Sequence, residues 1–299
     1  MAKNLKKVTT VEQQICKLKQ RGVAISDYDK AKEYLLDIGY YRLGFYMFPF
    51  ELTYPKLGRN RKHLVKVGTR IEDAVALYYF DFDLRNILNR FLSRIEVAIR
   101  TTMIYELSNK YANNPLWFVD KTVVEDEFVK GFDSKVYDTI RKKDVIKRHH
   151  SNYRNDNYAP AWKTMEFMVF GNLTMLYNKL LLEEDKKLVS RHFGVKNTTV
   201  FFYYIEVVRQ IRNACAHGSV LYDLNLYTPV KNGPAGYFTG KDRHSFAVAL
   251  HVVRFFLSKI SCNRLNDFEY ELVKAAEILL RKCPSLKSLI KNKTGISVE

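Results

Sequence analysis

Residues 81–102, DFDLRNILNRFLSRIEVAIRTT, carry the most regular hydrophobic pattern in the 299-residue chain. Apolar side chains recur there at the i, i+3, i+4, i+7 spacing over about five turns, which is the period of an amphipathic α-helix. They are Leu84, Ile87, Leu88, Phe91, Ile95, Ala98 and Ile99, followed by Thr102. The opposite side carries Arg85, Asn89, Glu96 and Arg100. We therefore expect a helix with one buried face and one exposed polar stripe.

Similar patterns on both sides of this segment predict further helices and an all-α fold. Sparse glycine and proline argue against many tight hairpins. The predicted helices are two short ones within 8–36, a long one that begins near residue 70 and resumes at 83, one block that begins at 162, one after 197–199, and two at 244–261 and 266–282. We expect residues 1–70 to form a basic helical and aromatic region that packs on a main domain at 71–299, or one continuous domain overall.

The four cysteines show no metal or disulfide pattern, and the N-terminal segment lacks the apolar run of a signal peptide. No apolar stretch approaches the roughly 20 residues that cross a bilayer, so we expect no membrane partner and a cytoplasmic protein. The glycine-rich nucleotide-binding motifs and the zinc-peptidase motif are also missing from the sequence. These observations predict neither a cofactor nor a metal.

Net charge gives the first indication of function. The chain carries 49 Lys+Arg against 32 Asp+Glu, a formal net charge of +17, and residues 1–70 alone hold 15 basic and 6 acidic side chains. Such a surplus attracts polyanions and supplies the salt-dependent part of nucleic-acid affinity, although many basic proteins are only soluble. The residues predicted to contact RNA are Arg59, Arg61, Lys62 and Lys66, together with Arg141, Lys142, Lys143, Lys147 and Arg148.

The segment EVVRQIRNACAHG, residues 206–218, holds an arginine and a histidine five positions apart, Arg212 and His217. On an ideal helix they would be separated by about 140° and roughly 7.5 Å. Gly218 is the type of residue found just past a helix end, where it would let His217 turn toward Arg212. A guanidinium can hold a phosphate and an imidazole can move protons, which suits RNA cleavage by the RNA's own 2′-hydroxyl. In a second interpretation Arg212 only pairs with Glu206 or Glu96, and His217 only caps the helix.

Several ordered blocks resemble the Abi (abortive-infection) family of phage-resistance proteins. They are IGYYRLGFYMFPF, YYFDFDLRNILNRFLSRIEVAIRTTMIYELS, PAWKTMEFMVFGNLTMLYNKL and IRNACAHGSVLYD, which cover most of residues 30–225. The family is similar to HEPN proteins, helical ribonucleases and toxins with an R-x4-6-H motif. The resemblance implies a HEPN-like helical bundle with an N-terminal extension and a metal-independent endoribonuclease toxin. It maps Arg212, Asn213 and His217 to the catalytic motif, although Gly218 replaces the second histidine of many relatives.

The same resemblance implies a homodimer that joins two motif segments, with RNA as substrate and a structured small RNA as a possible restraining partner. The alternative is a non-catalytic RNA-binding module that acts by sequestration. Three residues are expected to support the motif: Glu96, Arg100 and Arg209. For Glu96 and Arg100, an ordinary ion pair and a role in orienting Arg212 are equally compatible with the sequence.

Three further features are interpreted as structural rather than chemical. The aromatic segment 38–50 is typical of a buried hinge more than of a base-stacking surface. His149 and His150 are predicted to lie in a solvated basic loop rather than to bind a metal. Cys215 lies on the apolar side of its helix, where a thiol usually only packs.

Overall fold

The computed structural model describes residues 7–56 and 61–298. The predicted all-α fold is confirmed, since extended backbone within these ranges pairs only in isolated β-bridges. The α-helices are α1 (Val11–Gln20), α2 (Tyr28–Asp37), α3 (Tyr40–Met47), α4 (Ile71–Lys110), α5 (Asp126–Phe132), α6 (Asp138–Ile140), α7 (Asp144–Asn152), α8 (Ala161–Thr164), α9 (Phe170–Asn178), α10 (Glu183–His192), α11 (Thr198–Ala216), α12 (Phe246–Ile260), α13 (Cys262–Lys282) and α14 (Lys287–Thr294). No helix in the described ranges is both long and apolar enough to cross a membrane.

The chain divides into two compact units. The first comprises residues 1–85 and 271–299, and the second comprises residues 86–270. The boundary predicted at residue 70 therefore lies inside the first unit. All of the residues that the sequence places at or beside the R-x4-H motif belong to the second unit.

The first unit contains a buried polar cluster among its apolar side chains. The Tyr46 hydroxyl donates to Asp81 Oδ2 over 2.9 Å, and Arg85 Nη1 donates to the same oxygen over 2.5 Å. Asp81 is fully buried and Arg85 is 6% exposed. The prediction that Arg85 lies on an exposed stripe is wrong, because its charge is matched by a buried carboxylate one turn earlier in α4.

The aromatic segment 38–50 forms α3 and a following 3₁₀ turn. Tyr46, Met47 and Phe50 are buried, whereas Tyr41 is 81% exposed and meets Phe45 edge-on at 5.2 Å. The segment thus has one buried and one exposed aromatic side. Downstream, Glu51 and Val65 form an isolated antiparallel bridge, and the Leu52 N–H donates to Leu64 O over 2.9 Å.

Helix α4 runs without interruption through residues 71–110, so the predicted break before residue 83 is wrong. Its sequence contains no glycine or proline that would end a helix there. The predicted apolar face is buried apart from Ala98, which is partly exposed. Arg100, expected on the exposed stripe, is only 8% exposed.

The second unit packs α9, α10 and α12 against α11. Three buried rings meet at this contact, with Phe193 5.5 Å from both Phe201 and Phe256. The continuous block predicted from Trp162 is wrong. A 3₁₀ turn and two extended residues, Met168 and Val169, separate α8 from α9.

Candidate functional site

Helix α11 carries the predicted motif and begins where the sequence indicated. The Asn197 side chain accepts a hydrogen bond from the Val200 N–H over 3.1 Å, as an N-cap residue does. The apolar face of α11 is buried at every position, namely Tyr204, Ile205, Val208, Ile211 and Cys215. Its burial orients the helix so that the motif residues lie on its other sides. The depth of Cys215 agrees with its interpretation as a packing residue.

The helix ends at Ala216 in a closed hydrogen-bonding pattern. The Ser219 N–H donates to Ala214 O over 2.9 Å, and the Gly218 N–H donates to Cys215 O over 3.2 Å. These two bonds form a Schellman motif, which requires a left-handed residue at the position of Gly218. Gly218 has a φ of 65°, so the predicted helix end at this glycine is confirmed.

Arg212 and His217 are both exposed at this end of α11. The Arg212 side chain is 44% exposed, and its Nη1 donates to Asn213 Oδ1 over 3.4 Å. His217 is the C-cap residue, with φ −91° and ψ 7°, so it is the first residue outside the regular helix. The structure therefore places a cation, an amide and an imidazole on one solvent-accessible helix end.

Glu96 connects two arginines beside this end. Its Oε1 accepts from Arg100 Nη2 over 2.9 Å, and its Oε2 lies 4.0 Å from Arg212 Nε. Arg100 Nη2 also donates to Met168 O over 2.9 Å, which explains why Arg100 is buried despite its charge. Both interpretations of Glu96 are thus compatible with the geometry, since it makes the ion pair and also faces Arg212.

Arg209 lies one turn before Arg212 and has different partners. Its Nε and Nη2 donate to the two Glu206 oxygens over 2.9 and 2.7 Å, and these bonds raise the pKa of Arg209. Its Nη2 also donates to the Tyr227 hydroxyl over 2.6 Å. Glu206 is therefore occupied by Arg209, and of the two carboxylates considered for Arg212 only Glu96 lies near it.

Neither Tyr227 nor Gln210 was predicted from the sequence. Gln210 Oε1 accepts from the backbone N–H groups of Tyr227 and Thr228 over 3.1 and 3.4 Å. These bonds fix the segment after α11 against the helix, next to Arg209. No periodic pattern marks either residue, because one is in a loop and the other resembles any polar helix position.

The N-terminal basic residues are only partly available to an external anion. Arg61 pairs with the nearly buried Glu51 over 2.8 Å and lies 4.4 Å from the centre of the Phe48 ring. Lys62 and Lys66 are exposed, and Lys66 donates to Pro49 O over 3.3 Å. Arg59 lies outside the described residues.

The second basic cluster surrounds the start of α7, and all five of its members are exposed: Arg141, Lys142, Lys143, Lys147 and Arg148. Arg141 pairs with Asp133 over 2.7 Å, and Lys147 lies 3.5 Å from Asp144. Within the described ranges Lys142, Lys143 and Arg148 have no carboxylate partner. This cluster therefore offers three uncompensated cations to solvent.

His149 does not lie in a solvated loop, so that prediction is wrong. It belongs to α7, is 4% exposed and stacks on Tyr153 at 5.0 Å. Burial, with Lys163 and His150 nearby, lowers the pKa of His149. No group of three or more His, Cys, Asp or Glu side chains in the described part of the chain is placed to hold a metal ion.

Comparison with known families covers the helices that build this site. The model of the Abi-like protein family matches residues 33–223, which is more than half of the chain and includes α4, α9 and α11. No curated protein and no solved structure matches. The family match confirms the resemblance seen in the ordered sequence blocks and supports a general role in phage defence. The chain belongs to the Abi-like family of abortive-infection proteins.

Proposed function

We propose that this protein is a metal-independent endoribonuclease toxin, of the HEPN type, with its reaction centre at Arg212 and His217. The observation that carries the proposal is the exposure of two residues at the end of α11. A Schellman motif ends the helix there, and His217 is exposed five positions after the exposed Arg212. A structural arginine would be expected to have a close carboxylate, but among the described residues Arg212 has only Glu96, at 4.0 Å. Its donors remain accessible to a phosphate.

In the proposed reaction the RNA supplies its own nucleophile. His217 takes the proton of a 2′-hydroxyl, the 2′-oxygen forms a bond to phosphorus, and the bond from phosphorus to the 5′-oxygen breaks. The leaving 5′-oxygen receives a proton from water or from a second imidazole. The products are a 2′,3′-cyclic phosphate and a 5′-hydroxyl.

Arg212 stabilises the negative charge that develops on the phosphorane oxygens, which is the largest electrostatic contribution expected in such a site. Asn213 accepts from Arg212 and thereby limits its rotation. Glu96 faces Arg212 from α4, and Arg100 in turn fixes Glu96 through the ion pair and its bond to Met168 O. Arg209 supports the preceding turn through Glu206 and Tyr227.

The test compares single substitutions at the site with matched controls in the same unit. Arg212→Ala and His217→Ala are expected to lower single-turnover RNA cleavage in EDTA by at least about a hundredfold. RNA affinity and unfolding temperature should stay near those of the wild type. Arg254→Ala and His192→Ala, which remove an arginine and an exposed histidine elsewhere, should cleave normally. Cleavage at the wild-type rate by either site variant would refute the assignment.

We further propose that two copies pair through their 209–218 segments, so that two Arg212 and two His217 surround one cleft. One motif per chain gives a single histidine, whereas the reaction needs both a base and an acid. The measured mass in solution should be twice 35.1 kDa, and a cross-link between cysteines introduced at Ala216 of both copies should form. A strict monomer, with or without RNA, would eliminate this arrangement.

The exposed cations at residues 141–148 favour RNA as the macromolecular partner, both as substrate and as a structured small RNA that restrains the toxin. The same cations would also serve a non-catalytic module that sequesters RNA. The Arg212→Ala and His217→Ala variants distinguish the two functions. A sequestering protein would remain toxic after loss of Arg212 or His217, whereas a ribonuclease would not.

A further inference from the structure

A polar pocket opens beside α7, on elements other than the helix that carries Arg212. Its volume is about 490 Å³, and its lining consists of Arg141, Lys147, His150, Ser151, Asp156 and Asn157. A second pocket of about 400 Å³ shares Asp156 and Asn157 with the first and adds Asn114, Asp120 and Asn155 among others. Each volume lies within the range of small-ligand sites.

The cationic side of the pocket is built on one helix face and one preceding turn. Lys147, His150 and Ser151 are spaced i, i+3, i+4 on α7, which places them side by side. Arg141 precedes the helix, lies 5.2 Å from the centre of the Tyr137 ring and pairs with Asp133. The Tyr137 hydroxyl lies 2.9 Å from His150 Nε2 and accepts from the Ala159 N–H over 2.7 Å. Arg141 and His150 thus have specific partners, and Lys147 lies beside His150 on the same helix face.

The rest of the lining comes from the segment 153–158, which is anchored at both ends. Tyr153 stacks on the buried His149, the Asp156 N–H donates to Tyr153 O over 3.2 Å, and Ala159 is held by Tyr137. His149 Nε2 lies 3.2 Å from Asp156 Oδ2, yet neither ring nitrogen completes a hydrogen bond within the described residues. The Asp156 side chain is 47% exposed, so its carboxylate oxygens remain accessible to a ligand.

This lining does not suit a bare anion, because the Asp156 carboxylate would repel it. A ligand with a phosphate at one end and hydroxyl or amide donors at the other satisfies both sides of the pocket. Arg141 and Lys147 match the phosphate, Asp156 matches a sugar hydroxyl that donates, and Asn157 can both donate to and accept from a base edge. A sugar hydroxyl at this place distinguishes RNA from DNA.

We propose that the pocket beside α7 is a subsite for one unpaired ribonucleotide, with its phosphate on Arg141 and Lys147 and its 2′-hydroxyl on Asp156. The subsite rests on the proposed function for RNA as the partner, but it requires no cleavage. It gives the basic cluster a specific nucleotide contact in addition to its general attraction for phosphates.

The experiment is a ligand-observed NMR titration of the full chain with uridine 5′-monophosphate, 2′-deoxyuridine 5′-monophosphate and inorganic phosphate. None of these has an internucleotide bond, so the result does not depend on cleavage. The wild type should prefer the ribonucleotide to both other ligands. The double variant Arg141→Ala, Lys147→Ala should bind it about tenfold more weakly, as expected for lost charged hydrogen bonds.

The matched control is Lys121→Ala, Lys130→Ala, which removes two exposed cations that pair with Asp126 in the same unit without altering the lining. It should stay within about twofold of the wild type. Asp156→Ala should lose the preference for the ribonucleotide while its affinity for inorganic phosphate stays the same or rises. Equal losses in the two double variants would show diffuse charge and overturn the proposal, as would equal binding of the three ligands by the wild type. If the proposed ribonuclease function is wrong, only the cleavage measurements on the Arg212 and His217 variants would show it.

Discussion

At the scale of single residues, the geometry at the end of α11 depends on Gly218. Its φ of 65° lies in the left-handed region, where a Cβ atom meets the following carbonyl oxygen. Gly194 has the same role at the end of α10, with a φ of 74° and a Val195 N–H that donates to Ser190 O over 3.0 Å. The two glycines have the same backbone role. They differ because only Gly218 directly follows a proposed catalytic residue, His217.

This equivalence gives a prediction with an internal control. Gly218→Ala and Gly194→Ala should each lower the free energy of unfolding by about 1 kcal/mol, because both place a Cβ in the left-handed region. Only Gly218→Ala should also reduce RNA cleavage, since it displaces His217. Chemical denaturation and single-turnover cleavage of both variants provide the measurements. An equal effect of the two substitutions on cleavage would show that the helix end does not position His217.

Glu96 is the other residue whose surroundings matter at this scale. Its two oxygens face Arg100 and Arg212, so one carboxylate links a buried cation to an exposed one. Because Arg100 is fixed by Met168 O as well, it holds Glu96 in place from the interior side. The exposed arginine thus lies beside a carboxylate whose position is set by the core.

At the scale of elements, α7 combines an exposed basic side with a buried histidine. The pKa of His149 lies below its ordinary value of 6.5, mainly because burial disfavours the charged ring. In the unfolded chain the ring gains its proton at the ordinary pKa. The unfolded state therefore binds more protons once the pH falls below about 6.5, and stability is lost as the pH decreases through that value.

We therefore expect His149→Gln to flatten the dependence of unfolding free energy on pH between about pH 7.5 and pH 5.5. Asn152→Ala, at an exposed position of the same helix that carries no titratable group, should leave the slope close to that of the wild type. Denaturant titrations at several pH values measure both. Parallel profiles for wild type and His149→Gln would show that His149 does not titrate on unfolding.

Local signals in the sequence predicted α11 well. The Asn197 cap, the buried face and the end at Gly218 each depend on residues within a few positions of one another. Predictions that depended on distant partners did less well. Arg85 and Arg100 were expected to be exposed. Each has a carboxylate one turn earlier in α4, but their further partners, Tyr46 and the carbonyl of Met168, are distant in sequence. The break at Met168 and Val169 was also missed, because neither residue is a glycine or a proline, the residues that usually end a helix.

The candidate site shows the same division between local and distant information. Arg212, Asn213 and His217 were found from one short segment and from the family resemblance. Tyr227, which contacts Arg209, belongs to a loop without periodicity. The pocket beside α7 joins residues from a turn, a helix and a loop, and the sequence pattern showed only its basic part.

At the scale of the whole molecule, the net charge of +17 is the dominant property. Neutralising Lys142, Lys143, Lys147 and Arg148 together should weaken binding of unrelated long RNAs and flatten the plot of log affinity against log salt. Each lost phosphate contact should reduce the slope by roughly 0.7–0.9. A control with the same charge change at Arg281, Lys282, Lys287 and Lys291 should retain the wild-type slope. Equal slopes in the two quadruple variants would show that residues 141–148 are only a solvated surface.

The division into units also has a consequence for synthesis on the ribosome. The first unit draws on both ends of the sequence, residues 1–85 and 271–299, whereas the second is continuous from residue 86 to residue 270. Chains emerge from the N-terminal end, and compact parts fold as their residues become available. Every residue of the second unit therefore leaves the ribosome before residues 271–299, which the first unit needs. The first must wait for the last helices, although its own first residues were made earliest.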